Sequence, residues 1–214
     1  MADEYAPDGS PIALYAALQP LGEPEVVHGA IPSGAEILEL GAGAGRITCE
    51  LLALGHPVVA VDQSQAMLDL VEDAETVLGD IESLALERRF PVVLLASNFV
   101  NDIDRARVGT YLDCCARHVL PNGQVLLQGY PRDWRPDTEW RELGGVSARL
   151  RSFELAGDLL RGEMEYLVDG ESLEHAFEAR LVSEAELDAE LETAGLRRRR
   201  YLDDPGTWIE AVPS

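Results

Sequence analysis

Between Ile12 and Tyr130 short apolar runs alternate with amphipathic stretches, and the connections are short. The runs "AEILEL", "PVVAVD", "AETVLGD", "FPVVLLAS" and "QVLLQGY" have the length and composition of strands. "FPVVLLAS" is apolar at nearly every position, the pattern of a strand covered on both faces. Between them, "GRITCELLAL", "SQAMLDLVEDA" and "DRARVGTYLDCCARHVL" have helical spacing, with Ser64 placed to cap the second and "PNG" to stop the third. "PIALYAALQPL" and "EPEVVHGAI" predict two short leading helices broken at Pro20 and Pro24. Strand–helix alternation with short loops demands right-handed crossovers and a parallel sheet with helices on both sides.

The period changes after Gly145. "VSARLRSFEL", "LLRGEMEYLV" and "SLEHAFEARL" alternate by two around the turn signals "AGD" and "DGE", which predicts an antiparallel meander. "SEAELDAELETAG" then carries a Ser-x-x-Glu capping box (Ser183, Glu186) and a closing Gly195. "LRRRRYLD" and "TWIEAVP" predict a final strand pair. The organisation read from these signals is one domain over 1–214. It has a helical cap (1–34), a core (35–131), an inserted β lid (146–181) and a closing helix and strand pair (183–214).

Ligands of such sheets sit beyond the carboxyl ends of the strands. Glu39, Asp62, Asp80 and Ser97–Asn98 all fall at those ends. The loop after the first strand, "ELGAGAGR", has glycines at 41, 43 and 45 and an acid two residues before the first. A dinucleotide loop needs G-x-G-x-x-G, and the third required position is Arg46. A P-loop needs Gly-Lys, and the 17 basic residues are all arginine. Glu39 would repel a diphosphate but attract a cation. S-adenosylmethionine (SAM) has no phosphate and carries an ammonium and a sulfonium at its methionine end, so it fits the charge. Asp62 is placed to accept from the ribose hydroxyls, Asp80 from the adenine amino group, and Met67 and Ile81 to enclose the ring.

The series "ELGAGAGR", "VVAVDQSQAML", "VLGDIESL", "VVLLASNFVN" and "VLPNGQVLLQGY" resembles the successive motifs of class I SAM-dependent methyltransferases, over about residues 5 to 131. The resemblance implies a Rossmann-like, doubly wound, seven-stranded sheet, mostly parallel with its last strand antiparallel. It implies SAM contacts from Glu39, the Gly41, Ala42, Gly43 and Gly45 backbone, Asp62, Gln63, Asp80, Ile81, Ser97 and Asn98. Families that methylate amino groups of DNA bases or of protein glutamine have Asp/Asn-Pro-Pro-Tyr after the fourth strand. "SNFVN" stands there instead, which is in keeping with the small-molecule type. The implied function is methylation of a small specialised metabolite. Non-methyl chemistry on bound SAM, such as cyclisation, and a non-catalytic SAM-binding partner remain as alternatives.

Further candidates have two readings each. Tyr15 caps the cofactor or packs in the core. Arg46 reaches the methionine carboxylate or makes an ordinary ion pair. Asn101 faces the acceptor or shapes a turn. Trp134 and Trp140 rim an acceptor site or pack beneath the meander. His175 and Tyr130 are the catalytic candidates, with Tyr166 a weaker one. The meander's apolar face (Leu150, Leu160, Met164, Tyr166, Phe177, Leu181) either roofs the acceptor or pairs with a second copy in a homodimer.

The net charge of −22, from 39 acidic and 17 basic residues, disfavours nucleic acid. The run Arg197–Arg200 reads as a solvated edge strand. No stretch has the apolar length of a membrane span, and "MADEYAPDGS" does not read as a signal peptide. Three cysteines without CxxC spacing and four scattered histidines predict no disulfide and no metal, and a reducing cytoplasm.

Overall fold

The computed structural model describes residues 5–168 and 170–214. The first four residues, part of the segment read above as no signal peptide, and Asp169, in the second meander turn, lie outside the described residues. Two helices lead, α1 (Ile12–Ala17) and α2 (Glu23–Ala30), followed by β1 (Ile37–Leu40), α3 (Thr48–Ala53), β2 (Val58–Asp62), α4 (Gln65–Leu68) and β3 (Glu75–Leu78). The chain continues through β4 (Phe90–Leu95), a 3-10 turn (Phe99–Asn101), α5 (Arg105–His118) and β5 (Val119–Gln128). Then come β6 (Arg141–Leu143), β7 (Val146–Ala156), β8 (Leu159–Val168), β9 (Glu171–Arg180), α6 (Glu184–Thr193), β10 (Leu196–Tyr201) and β11 (Trp208–Pro213).

Seven strands form the main sheet in the order β10-β11-β5-β4-β1-β2-β3. β11, the last strand, runs antiparallel to both of its neighbours, and β1 to β5 are mutually parallel. Every side chain of β1 is buried, as sheet centre demands. One face packs Leu38, Val93, Leu95 and Leu127 against Leu112 and Cys115 of α5 and Leu191 of α6. The other packs Ile37, Val92 and Leu94 against Val27 of α2 and Leu51 of α3. Cys114 and Cys115 are buried packing residues. The capping box of α6 forms as expected: Ser183 Oγ accepts from Glu186 N, and the Glu186 carboxylate accepts from Ser183 N.

Two boundaries differ from the sequence reading. Ser64 Oγ accepts from Met67 N as a cap, but α4 ends at Leu68, far short of the helix expected to Ala74. Asp73 takes a left-handed φ of +61°, a conformation short polar side chains tolerate, and turns the chain into β3. "PNG" does not separate α5 from the next strand: Val119 already pairs with Phe90, and the register shifts before Val92 pairs with Gln124. The glycine explains the exception, since a Cβ at Gly123 would lie 2.7 Å from the Pro91 carbonyl oxygen.

The meander exists and gains a fourth strand, β6, which its three residues did not announce. Its sheet, β6-β7-β8-β9, is antiparallel throughout. Its ties to the rest include Gln19 N, after α1, donating to Gly144 O at 2.7 Å, Asn101 Nδ2 donating to Arg180 O at 2.7 Å, and the Arg180–Glu186 ion pair to α6 at 2.8 Å. Arg197–Arg200 lies on the edge strand β10. Arg198 pairs with Asp188, and Arg199 and Arg200 clamp the buried Glu210 at 2.9 and 2.6 Å, so three of the run's four cations have acidic partners.

His28 and His56, far apart in sequence, meet with ring nitrogens 2.9 Å apart. Among the described residues no group of three or more His, Cys, Asp or Glu could hold a metal, and no helix is long and apolar enough to cross a membrane.

The tight β4–β5 crossing makes Gly123→Ala a direct probe. Forcing the Pro91 backbone outward should destabilise the fold by about 1–3 kcal/mol. Thermal denaturation checks this; an unchanged melting temperature would show that the crossing has room to spare.

Candidate cofactor and acceptor site

Chain order turns round between β1 and β4: β2 and β3 add on one side of β1, and β4 and β5 on the other. The loops leaving β1 and β4 therefore diverge, and the crevice between them is where open α/β sheets hold ligands. Gly41–Gly45 forms one wall and Ser97–Asn98 begins the other. The walls touch at one place, where the Phe99 ring lies so close to Gly41 that a Cβ there would be 2.6 Å from it.

The glycine loop uses its amides inward. Gly41 N and Ala42 N both donate to Val61 O at 2.9 Å, Gly43 N to Asp62 Oδ2 at 2.8 Å, and Gly45 N to Ala42 O at 3.1 Å. A loop that cradles phosphate needs those groups pointing at the ligand. Gly41, Gly43 and Gly45 have φ of +75°, +57° and +82°, and a side chain at 45 would also press on Val71 at 3.0 Å.

Carboxylates line up along the strand ends. Glu39 is buried beneath the loop rather than at its mouth, with Oε2 accepting from Thr48 Oγ1 at 2.6 Å. Burial pushes its carboxyl up to about 7, against the lowering effects of the Thr48 hydroxyl and the Arg46 guanidinium. Asp62 also accepts from Ser64 N at 2.9 Å, so both of its oxygens hold loop backbone and keep further lone pairs free. Asp80 Oδ1 accepts from Glu82 N. Arg46 pairs with the buried Glu23, which is the ion-pair reading of that residue. Tyr15, from α1, stands over the loop, with its ring 3.9 Å from where a Gly43 Cβ would be.

Beyond the loops lies a cavity of about 880 Å³. Ser97, Asn98 and Phe99 line it from the β4 side, Tyr130 and Trp134 from beyond β5, and Leu150, Met164, Tyr166, His175 and Phe177 from the antiparallel sheet. Alternation along β7, β8 and β9 thus delivers its inward residues to one chamber. The Tyr130 and Trp134 rings stack at 4.7 Å, while Trp140 is exposed and sits against Arg149 instead. Burial pushes the Tyr130 hydroxyl up to about 12 and raises those of Tyr15 and Tyr166, so all three stay protonated donors at neutral pH.

The candidates divide between two places. Tyr15, Ser97, Asn98, Tyr130 and His175 meet in the cavity. Glu39, Arg46, Asp62, Gln63, Met67, Asp80 and Ile81 are not among its lining; Met67 and Ile81 are buried beside the second and third strand ends. Asn101 does line the cavity, but its carboxamide is committed: it donates to Arg180 O and accepts from Tyr130 N at 3.1 Å. The sequence reading passed over Phe99, Thr48 and Gln128. Gln128 had a signal, since a polar side chain ends the apolar run "VLLQ"; Thr48 had none beyond its place one turn after the loop.

A family profile described as a methyltransferase domain matches residues 37–123, which span the loop, the three strand-end acids Glu39, Asp62 and Asp80, and the β4 turn. The core is a class I SAM-dependent methyltransferase domain. An uncharacterized methyltransferase of Mycobacterium tuberculosis is 34% identical over 147 residues, covering 66% of this chain and 58% of that protein. The cypemycin N-terminal methyltransferase of a Streptomyces species is 32% identical over 133 residues, covering 58% and 51%. The chain thus spans little more than half the length of these relatives. In fold it resembles the SAM-bound amino pentose methyltransferase CalS10 of Micromonospora echinaspora, involved in calicheamicin biosynthesis, with TM-score 0.70, 18% identity and coverage of 97% and 93%.

The methyltransferase donor set suits a ligand that is cationic at one end and rich in hydroxyl and amino donors at the other: three strand-end acids, inward loop amides, no lysine. An ammonium near Glu39 would return its raised carboxyl toward the ionised form, so binding would release a proton. The affinity for S-adenosylhomocysteine (SAH) should then rise as pH climbs toward about 7, by up to about tenfold per unit, and level off above it. Glu39→Gln should bind more weakly at high pH and show no such slope. Calorimetry across pH checks both; a parallel slope in the variant would assign the proton to another group. Folding carries the opposite sign, because the raised carboxyl favours the folded state below about 4.5 and loses that contribution as pH rises to about 7.

Proposed function

We propose that this protein transfers a methyl group from SAM to the nitrogen of a small, amine-bearing acceptor held under the antiparallel sheet. The observation that carries this is the cavity at the methyl-donating end of the crevice. In a chain only 6% aromatic, six aromatic residues line it: Tyr15, Phe99, Tyr130, Trp134, Tyr166 and Phe177. Aromatic faces attract cations and pack against apolar bodies, and the lining carries five acids (Asp8, Asp102, Asp137, Glu139, Glu178) against four arginines (Arg107, Arg135, Arg141, Arg149), a balance that favours a positive acceptor. Its volume is in the range of small-molecule sites. One relative is named for methylating an N-terminus and a structural neighbour for an amino-bearing sugar, which is in keeping with an amine-bearing acceptor.

Bound SAM supplies an electrophilic methyl group on a sulfonium leaving group. The residues of this chain orient the acceptor, exclude water and handle one proton. An amine arrives largely as an ammonium and must lose a proton before its lone pair can attack. In this reading His175, on β9 and in the cavity lining, accepts it. Tyr130, a catalytic candidate by sequence, acts here as a donor, because burial pushes its hydroxyl up to about 12. The aromatic walls, Tyr130, Trp134 and Phe177 among them, would face the positive charge that the acceptor nitrogen gains on methylation.

The antiparallel sheet is read as roof rather than subunit interface, since its apolar face is turned into the chamber. Its connection through Asn101 puts the lid and Tyr130 on one hydrogen-bonded pin.

The test is a panel of paired probes, primary amines and the matching alcohols, incubated with SAM and read by mass for an added methyl group. Amines alone should be methylated; methylation of the alcohols alone would reject the amine reading. His175→Asn should slow transfer to an amine about 100-fold near neutral pH, with the deficit shrinking as pH rises and the free amine forms by itself. A deficit that does not change with pH would remove His175 from proton transfer.

A further inference from the structure

Ser97 and Asn98 are consecutive non-glycine residues in the left-handed region, with φ of +56° and +60°. Such residues are uncommon, and they persist only where the surroundings hold them. Within the segment, Asn101 N donates to Asn98 O at 2.8 Å, and Phe99 N reaches Ala96 O only at 3.5 Å. The left-handed pair itself is gripped from outside by a side chain: Ser97 N donates to Gln128 Oε1 at 2.7 Å. Gln128 is the last residue of β5, its backbone paired with the buried Trp208 of β11, so this oxygen is offered from a rigid place.

The turn leads straight into Phe99, the ring that closes on Gly41 of the cofactor loop. Ser97, Asn98 and Phe99 all line the cavity, whereas Gln128 does not. The Gln128 side chain therefore acts on the site through the backbone it grips. We propose that Gln128 is a positioning residue: its side-chain oxygen holds the 97–98 turn left-handed and thereby seats the Phe99 ring against the glycine loop, shaping the groove for the methionine end of the cofactor. This rests on the functional reading above, which names that groove's ligand.

The probe is SAH, titrated calorimetrically, with melting temperatures recorded for every variant. Gln128→Leu should weaken binding about tenfold. Gln128→Glu, which keeps an acceptor oxygen, should bind within about threefold of the wild type. The decisive variant is Gln128→Leu combined with Ser97→Gly: glycine adopts positive φ without strain, so the turn no longer needs its clamp and affinity should return. A folded Gln128→Leu protein with wild-type affinity overturns the proposal, and so does a loss that Ser97→Gly fails to restore. Should Gln128→Leu not fold, Gln128→Met, which keeps the length and lacks the acceptor, carries the same comparison. If wild-type protein does not bind SAH, the cofactor reading fails instead. The φ angles at 97 and 98 in a crystal structure of the leucine variant then test the clamp alone, and an unchanged left-handed turn there overturns it.

Discussion

The reversal of strand order between β1 and β4 is the constraint on which the site depends. Two parallel strands side by side, with crossovers leaving in opposite directions, must open a gap at their carboxyl ends. Both loops at that gap then face the same space, and each is shaped by backbone that few residues tolerate: three glycines at positive φ on one side, a left-handed Ser-Asn pair on the other. The strands below are almost wholly apolar and buried, which fixes their registers. The core supplies rigidity, and the loops take up the strain.

Charge is arranged with equal economy. The loop amides are committed to Val61 O, Asp62 and Ala42 O, so they do not point outward as the N–H groups of a phosphate-binding loop do. Glu39 lies buried beneath the loop, and that burial raises its carboxyl. The antiparallel sheet adds the opposite kind of surface, aromatic and apolar, to the cavity. Asn101 joins the two environments, since one carboxamide touches both the end of β9 and the backbone of Tyr130.

Much of this was legible in the sequence. Local periodicity was enough for the parallel core, because a run such as "FPVVLLAS" has no other stable use, and for the meander, because alternation by two survives single exceptions. The positions of Glu39, Asp62 and Asp80 near strand ends could be read because those ends are marked by the apolar runs themselves. Boundaries were less legible where tertiary contacts decide: α4 stops at a left-handed Asp73, and β5 begins before "PNG" because Gly123 allows the backbone of β4 to approach. β6 is three residues long and has meaning only beside β7. The Phe99–Gly41 contact, the Gln128 clamp and the His28–His56 pair join residues far apart in the chain, and no local pattern announces such meetings.

The central claim is that the crevice between the β1 and β4 loops holds SAM with its reactive end toward the aromatic cavity. A crystal structure with SAH tests it most directly. The account predicts the ribose hydroxyls on Asp62, the amino group on the Glu39 side of the glycine loop, and the sulfur facing the space between Asn98 and Tyr130. Ligand bound elsewhere, or bound with its sulfur turned away from that cavity, would contradict it.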